Sequence, residues 1–329
     1  MKYKNYLHKT IIIFLLCFSL ILTGCNILGA NPQGSEPQQD EPVWLNMNKE
    51  FPETQSLPDG QGQKAKVIIL IGQSNATGCS LTSYLEKNIG KEAYEKYEKG
   101  FSNILINYCL DDHKYTSDGE FVTTDLTCAA GDGCFGPEVG IAEKLAEEYQ
   151  DETIFILKYT MSGYSLHHHW LSQGQRGSIY EAFLAFAQKY MDTLLEHNYD
   201  AKIGAICWMQ GESDTTDYKA SKYYDNQKAF VGYLREDLTR YAEDGGIYFI
   251  DAGISNSPYC EPAYPEINQA KEKFSKDSEL NIYFPTISEG LTVHLEPEGE
   301  PDWGHYDSMS GLKLGHLFGE QIIKSYGMR

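Results

Sequence analysis

The chain has 329 residues, with 27 Lys and Arg against 47 Asp and Glu, and a formal net charge of −20. So large an acid excess disfavours nucleic acid and anionic lipid headgroups as partners, because both carry phosphate charge. It also argues against polyanionic substrates, whereas the 24 tyrosines, with Trp170, Trp208 and Trp303, suit a surface that stacks on sugar rings.

Lys2, Lys4 and Lys9 precede a nearly unbroken apolar run from Ile11 to Leu22. Together they read as the charged and hydrophobic regions of a secretory signal, and the run is short for a membrane span. Leu22-Thr23-Gly24-Cys25 resembles a bacterial lipobox, so residues 1–25 are expected to be a lipoprotein signal with Cys25 as the lipidated mature N-terminus. The expected address is extracytoplasmic, on the cell membrane or outer membrane, with the bilayer engaged through the N-terminal lipid only. Residues 26–64 include the Pro-, Gln- and Glu-rich stretch 31–42, which has little to bury, and are expected to form a disordered tether. Residues 65–329 then form one domain, about 265 residues, a size that suits a single α/β core.

Within that domain Val67–Ile71, Thr153–Tyr159, Ile203–Trp208 and Ile247–Ile250 are continuous apolar runs of strand length. Continuity rather than alternation predicts strands covered on both faces, as in parallel sheets. Between them lie helical patterns. One starts at Pro137 with Val139, Ala142, Ala146 and Tyr149 on one stripe, and another follows the capping-box pattern Ser178-Ile179-Tyr180-Glu181. Further helices are predicted over about 223–241 and 311–326. The alternation implies an α/β three-layer sandwich with a doubly wound parallel sheet. The long polar stretch Cys79–Cys134 fits this scheme poorly and reads as an insertion beside the ligand.

Six cysteines remain once Cys17 and Cys25 are set aside: Cys79, Cys109, Cys128, Cys134, Cys207 and Cys260. An extracytoplasmic chain allows disulfides, and six cysteines permit 15 pairings, which the sequence leaves open. Cys207 lies in an apolar run and is expected to be a buried free thiol. No Cys-x-x-Cys pair occurs, and the adjacent His167, His168 and His169 cannot all face one ion, so no metal and no cofactor is expected.

Two short segments carry chemistry. Ser74, in Gly72-Gln73-Ser74-Asn75, follows the first strand directly, at the edge where open α/β sheets present ligands. A serine hydroxyl needs a base to accept its proton, and the base needs a carboxylate to fix its tautomer. Asp302-Trp303-Gly304-His305 offers both from one loop, with Asp307 as a competing carboxylate.

Gly72-Gln73-Ser74-Asn75, Phe135-Gly136-Pro137-Glu138, Trp208-Met209-Gln210-Gly211-Glu212-Ser213-Asp214 and Asp302-x-x-His305 occur in that order. Together they resemble the SGNH hydrolase superfamily, whose fold is flavodoxin-like, and within it the sialate O-acetylesterase and family 6 carbohydrate esterase group. The likeness spans residues 66–325. It implies a triad of Ser74, Asp302 and His305 and an oxyanion hole formed by Ser74, Gly136 and Gln210. It also implies substrate contacts from Gln73, Trp170 and Glu212, with Glu212 expected to orient the neighbouring backbone or the triad loop. Where the family has Gly-Gly-Thr/Ser before a Trp, this chain has Ser162-Gly163-Tyr164. The implied activity is hydrolysis of acetyl esters on carbohydrate. Alternatives are a lipase or thioesterase of the wider superfamily, and a non-catalytic sugar-binding lipoprotein.

Overall fold

The computed structural model describes residues 50–328 except 132 and 217. The signal, Cys25 and residues 26–49 of the expected tether lie outside the described residues. Six parallel strands build the sheet: β1 (Lys64–Gly72), β3 (Phe101–Leu110), β7 (Ile154–Thr160), β10 (Asp200–Met209), β11 (Tyr248–Ala252) and β12 (Asn281–Phe284). Their spatial order is β12-β11-β10-β1-β7-β3, and β4 (Tyr115–Thr116) and β5 (Val122–Thr124) extend the β3 edge antiparallel. Two short antiparallel pairs stand apart, β2 (Ser80–Leu81) with β6 (Cys134–Phe135) and β8 (Leu171–Ser172) with β9 (Gln175–Arg176).

The helices are α1 (Ser74–Thr77), α2 (Thr82–Ile89), α3 (Lys91–Lys99), α4 (Pro137–Glu148), α5 (Ser178–Glu196), α6 (Tyr223–Asp237), α7 (Tyr264–Ser275) and α8 (Ser308–Gly327). Val67 to Ile71 and Ile154 to Leu157 are fully buried, which accounts for their unbroken apolar character. The expected doubly wound sandwich is the fold observed.

Strand order decides where a site forms. From β1 the chain builds outward to β3, returns to β7, then crosses to β10 on the other side of β1. The switch point therefore lies at the carboxyl end of β1, where a crevice opens in such sheets. Gly72 ends β1 at φ 149°, and a Cβ there would strike the Met209 carbonyl at the end of β10. Only glycine permits this close approach, which brings the first and third motifs side by side.

Two expectations need correcting. Residues 51–63, assigned to the tether, lie against the domain. Phe51 packs edge-on against Phe186 and Tyr190, Leu57 is buried, and the Glu120 carboxylate accepts from the Gln55 and Ser56 backbone N–H groups. The apolar anchors and an acceptor for the backbone explain why this part docks. The stretch Cys79–Cys134 is not wholly an insertion either, since it contains β3, a full parallel neighbour of β7.

Candidate active site

Ser74 is the first residue of α1 and is partly exposed. Its N–H lies in the first turn of the helix, where no intrahelical acceptor exists. On the facing loop, His305 Nδ1 and Asp302 Oδ2 are 2.6 Å apart, and Asp302 also accepts from the Gly304 N–H. Asp307, the rival carboxylate, instead accepts from the backbone N–H groups of His294, Leu295 and Glu296. It shapes the preceding loop and leaves the imidazole to Asp302.

Asn75 joins the two loops. Its Nδ2 donates to the Gly304 carbonyl at 3.3 Å, and its Oδ1 accepts from the Tyr306 N–H at 3.1 Å. One buried amide thus grips the backbone on both sides of His305 and fixes it relative to the neighbouring Ser74. The same Nδ2 donates to Glu212 Oε1 at 2.7 Å, so Glu212 braces the amide that braces the histidine.

The charges around His305 do not all pull the same way. Burial opposes a charge on the imidazole, but its hydrogen bond to Asp302 and its contact with the Cys79 thiol outweigh that and push its pKa up to about 10. Burial likewise works to raise the Asp302 carboxyl, yet the histidine hydrogen bond and charge hold it below its usual value. Burial raises the Glu212 carboxyl above its usual value, and its Oε2 is enclosed without a protein partner. Cys79 also reaches the Ser74 carbonyl, with its sulfur 3.6 Å away.

The third motif has a different character. Gln210 is fully buried, and its Nε2 donates to Asp214 Oδ2 at 2.6 Å and to the Tyr164 carbonyl at 3.3 Å. Its Oε1 accepts from the Tyr223 hydroxyl. Asp214, also fully buried, further accepts from the Leu166 and His167 N–H groups, fixing the π-turn Leu166–Trp170. Both amide protons of Gln210, expected at the oxyanion hole, are thereby engaged within the fold in the absence of a ligand. The N–H of Gly136, the other donor expected there, donates to Glu138 Oε1 at 3.0 Å. Of the three expected donors, Ser74 alone has its N–H at an open turn.

The expected substrate contacts change as well. Trp170 is fully buried, edge-on to Trp208 and Phe230 and next to Tyr159, and belongs to the core. Gln73 is buried and uses Oε1 to accept from the Gly211 and Ser213 N–H groups, tying β1 to the turn after β10. Glu212, expected both to touch substrate and to orient its surroundings, reaches Asn75 and has its other oxygen enclosed. Trp303, one of the aromatics expected to suit a sugar-stacking surface, is exposed between Asp302 and His305 and stacks on His294 with ring centroids 6.1 Å apart.

Beneath α1 lies a buried cation. Lys158 Nζ, on β7, donates to the Thr77 carbonyl at 2.8 Å, the Cys128 carbonyl at 2.7 Å and Glu138 Oε2 at 2.6 Å. Both ends of this ion pair are fully buried. The pair therefore fastens the end of the serine helix, the 79–134 segment and the start of α4 to one strand. No disulfide joins the six cysteines, and Cys207 is buried in the sheet. Among the described residues no cluster of three or more His, Cys, Asp or Glu side chains is arranged to hold a metal.

Comparison with the curated proteins gives no match. Among solved structures, a protein from Arabidopsis thaliana superposes with a TM-score of 0.56 at 16% identity, covering 82% of this chain and 99% of its own. NanS gives 0.55 at 16% identity, with 83% and 99% covered. A carbohydrate acetylesterase from Xanthomonas citri gives 0.51 at 12% identity, with 78% and 54% covered. At these identities the likeness establishes the fold alone. The family described as carbohydrate esterase, sialic acid-specific acetylesterase matches residues 64–324, almost the whole described domain. With its serine turn, its Asp–His loop and this match, the chain belongs to that family of carbohydrate esterases.

Proposed function

We propose that the protein removes acetyl groups from carbohydrate by a Ser-His-Asp acyl-enzyme route, outside the cytoplasm and tethered by lipid on Cys25. The observation that carries the reading is Asn75 fixing His305, itself paired with Asp302, opposite the Ser74 turn. Ser74 Oγ adds to the ester carbonyl carbon while His305 Nε2 takes the hydroxyl proton. Asp302 fixes the tautomer through Nδ1, and the Ser74 N–H faces the developing oxyanion. Collapse breaks the bond to the sugar oxygen, which leaves with the proton from His305. Water then repeats the sequence on the acetyl-enzyme, giving acetate and restoring the Ser74 hydroxyl.

Exposed Trp303 provides an aromatic face beside the histidine where a sugar ring can rest. The test is acetate release from a panel of acetylated glycans by the wild type and by Ser74→Ala. The wild type is expected to release acetate and the variant to lose that activity while keeping its fold. Equal release by both would overturn the mechanism. Faster turnover of p-nitrophenyl octanoate than of the acetate would favour a lipase.

A further inference from the structure

Away from the triad, the 79–134 segment encloses a cleft of about 640 Å³ that no step above uses. That volume lies within the range of small-ligand sites. Tyr94 from α3, Tyr108 from β3 and Tyr115 from β4 line it, all three half-buried, so each gives it part of its ring. Tyr115 lies over Gly131, which sits at φ 96°, and a Cβ at Gly131 would press on its ring. Burial pushes the Tyr108 hydroxyl up to about 12, which keeps it a neutral donor.

Charge at the cleft is lopsided. Glu98 and Asp118 are exposed in its lining against one cation, Lys114, whose ammonium sits 4.9 Å from the Tyr115 ring centroid. Two carboxylates in a chain of net charge −20 repel an anionic ligand. Aromatic faces with neutral hydroxyl donors and an acidic rim suit an uncharged sugar.

The cleft also adjoins the catalytic loops. Ala129 and Gly131 line it, and Ala130 between them donates its N–H to the Gly78 carbonyl at the end of α1. Gly133 lines it too, and the next residue, Cys134, interacts with Cys79, the thiol that faces His305. We infer that this tyrosine-lined cleft is a second sugar subsite, binding a neutral glycosyl unit of the glycan whose neighbouring unit is deacetylated at Ser74. The neighbouring-unit part of this inference rests on the esterase reading; the sugar-binding part does not.

Calorimetric titration of the mature chain carrying Ser74→Ala tests it, with unesterified xylotetraose, cellotetraose and chitotetraose as neutral probes and tetragalacturonate as the anionic one. At least one neutral oligosaccharide is expected to bind, and tetragalacturonate more weakly. Adding Tyr115→Ala should weaken the neutral ligand roughly ten-fold, the weight of one good contact. Thr127→Trp, at an exposed lining position, should weaken it by filling the cleft without removing a packed ring. Failure of every neutral probe, affinity indifferent to both substitutions, or tighter binding of tetragalacturonate would each overturn the subsite. Because the probes carry no ester, a chain that binds them but whose wild type releases no acetate would retire the esterase reading and keep the cleft.

Discussion

The two motif regions that meet at the end of β1 treat their polar atoms in opposite ways. The Ser74 turn and the Asp302–His305 loop leave a hydroxyl, a ring nitrogen and a carboxylate partly open to solvent. In the Trp208–Asp214 segment, Gln210 and Asp214 are fully buried, and the polar atoms of both are matched within the fold. Reactive groups need unfilled valences toward the substrate, while a scaffold needs every buried polar group paired. A motif therefore marks both kinds of residue, and only their hydrogen bonds separate them.

The sharpest way to break this contrast is to remove one member from each region. Ser74→Ala and His305→Ala should each lower kcat by several orders of magnitude with little change in the urea midpoint. A folded Ser74→Ala protein with wild-type turnover would refute the assignment. Lys158→Met strikes the brace below the serine turn. It leaves Glu138 buried without its cation and should lower stability by about 3–5 kcal/mol, read from urea unfolding. An unchanged midpoint would mean that Glu138 is comfortable as a neutral acid.

Gln210→Ala sharpens the comparison from the scaffold side. It removes one donor from Asp214 and one acceptor from Tyr223, which should cost about 1–3 kcal/mol of stability. Turnover should fall by less than the roughly 100-fold typical of a lost oxyanion donor. The reverse result, intact stability with turnover down 100- to 1,000-fold, would return Gln210 to the oxyanion hole.

The same contrast explains what the sequence disclosed. Continuous apolar runs located β1, β7 and β10, because strands covered on both faces need no polar positions. β3 escaped that pattern because Ser102, Asn103 and Asn107 interrupt it, and two of them donate to distant carbonyls. Asn107 donates to Gly119, and Asn103 to Tyr149 and Glu152. β12 is four residues at the sheet edge, too short to show a period. The pairing of Asp302 with His305 was legible because their spacing is a local fact. Trp170 was misplaced because residue type does not reveal burial: it lies in the core, and Trp303 is the exposed one. The bonds that engage the Gln210 amide run to Asp214, Tyr164 and Tyr223, and those to the two tyrosines are set by tertiary packing.

The smallest expected effect concerns Cys79, which adjoins the open region without belonging to either motif. Its thiol faces His305 and, with Asp302, helps carry the imidazole up to about pKa 10 against the pull of burial. A general base must be neutral to take the Ser74 proton, so kcat/KM should rise with pH and level off only in the alkaline range. Cys79→Ala removes one of the two supports for the imidazolium and leaves burial and Asp302 opposed. The rising limb of the pH profile should then move to lower pH, making the variant relatively more active near neutrality. Stability should follow with the linked sign. The raised pKa contributes stability that is complete below the unfolded value of about 6.5 and is lost as pH rises through the folded one. Cys79→Ala should reduce that contribution, so the variant's stability should be less sensitive to pH between roughly 7 and 10. The measurement is kcat/KM on p-nitrophenyl acetate from pH 5 to 10 for both proteins, alongside urea midpoints. Superimposable profiles would show that the thiol does not act on the imidazole, and Asp302 alone would then set its charge.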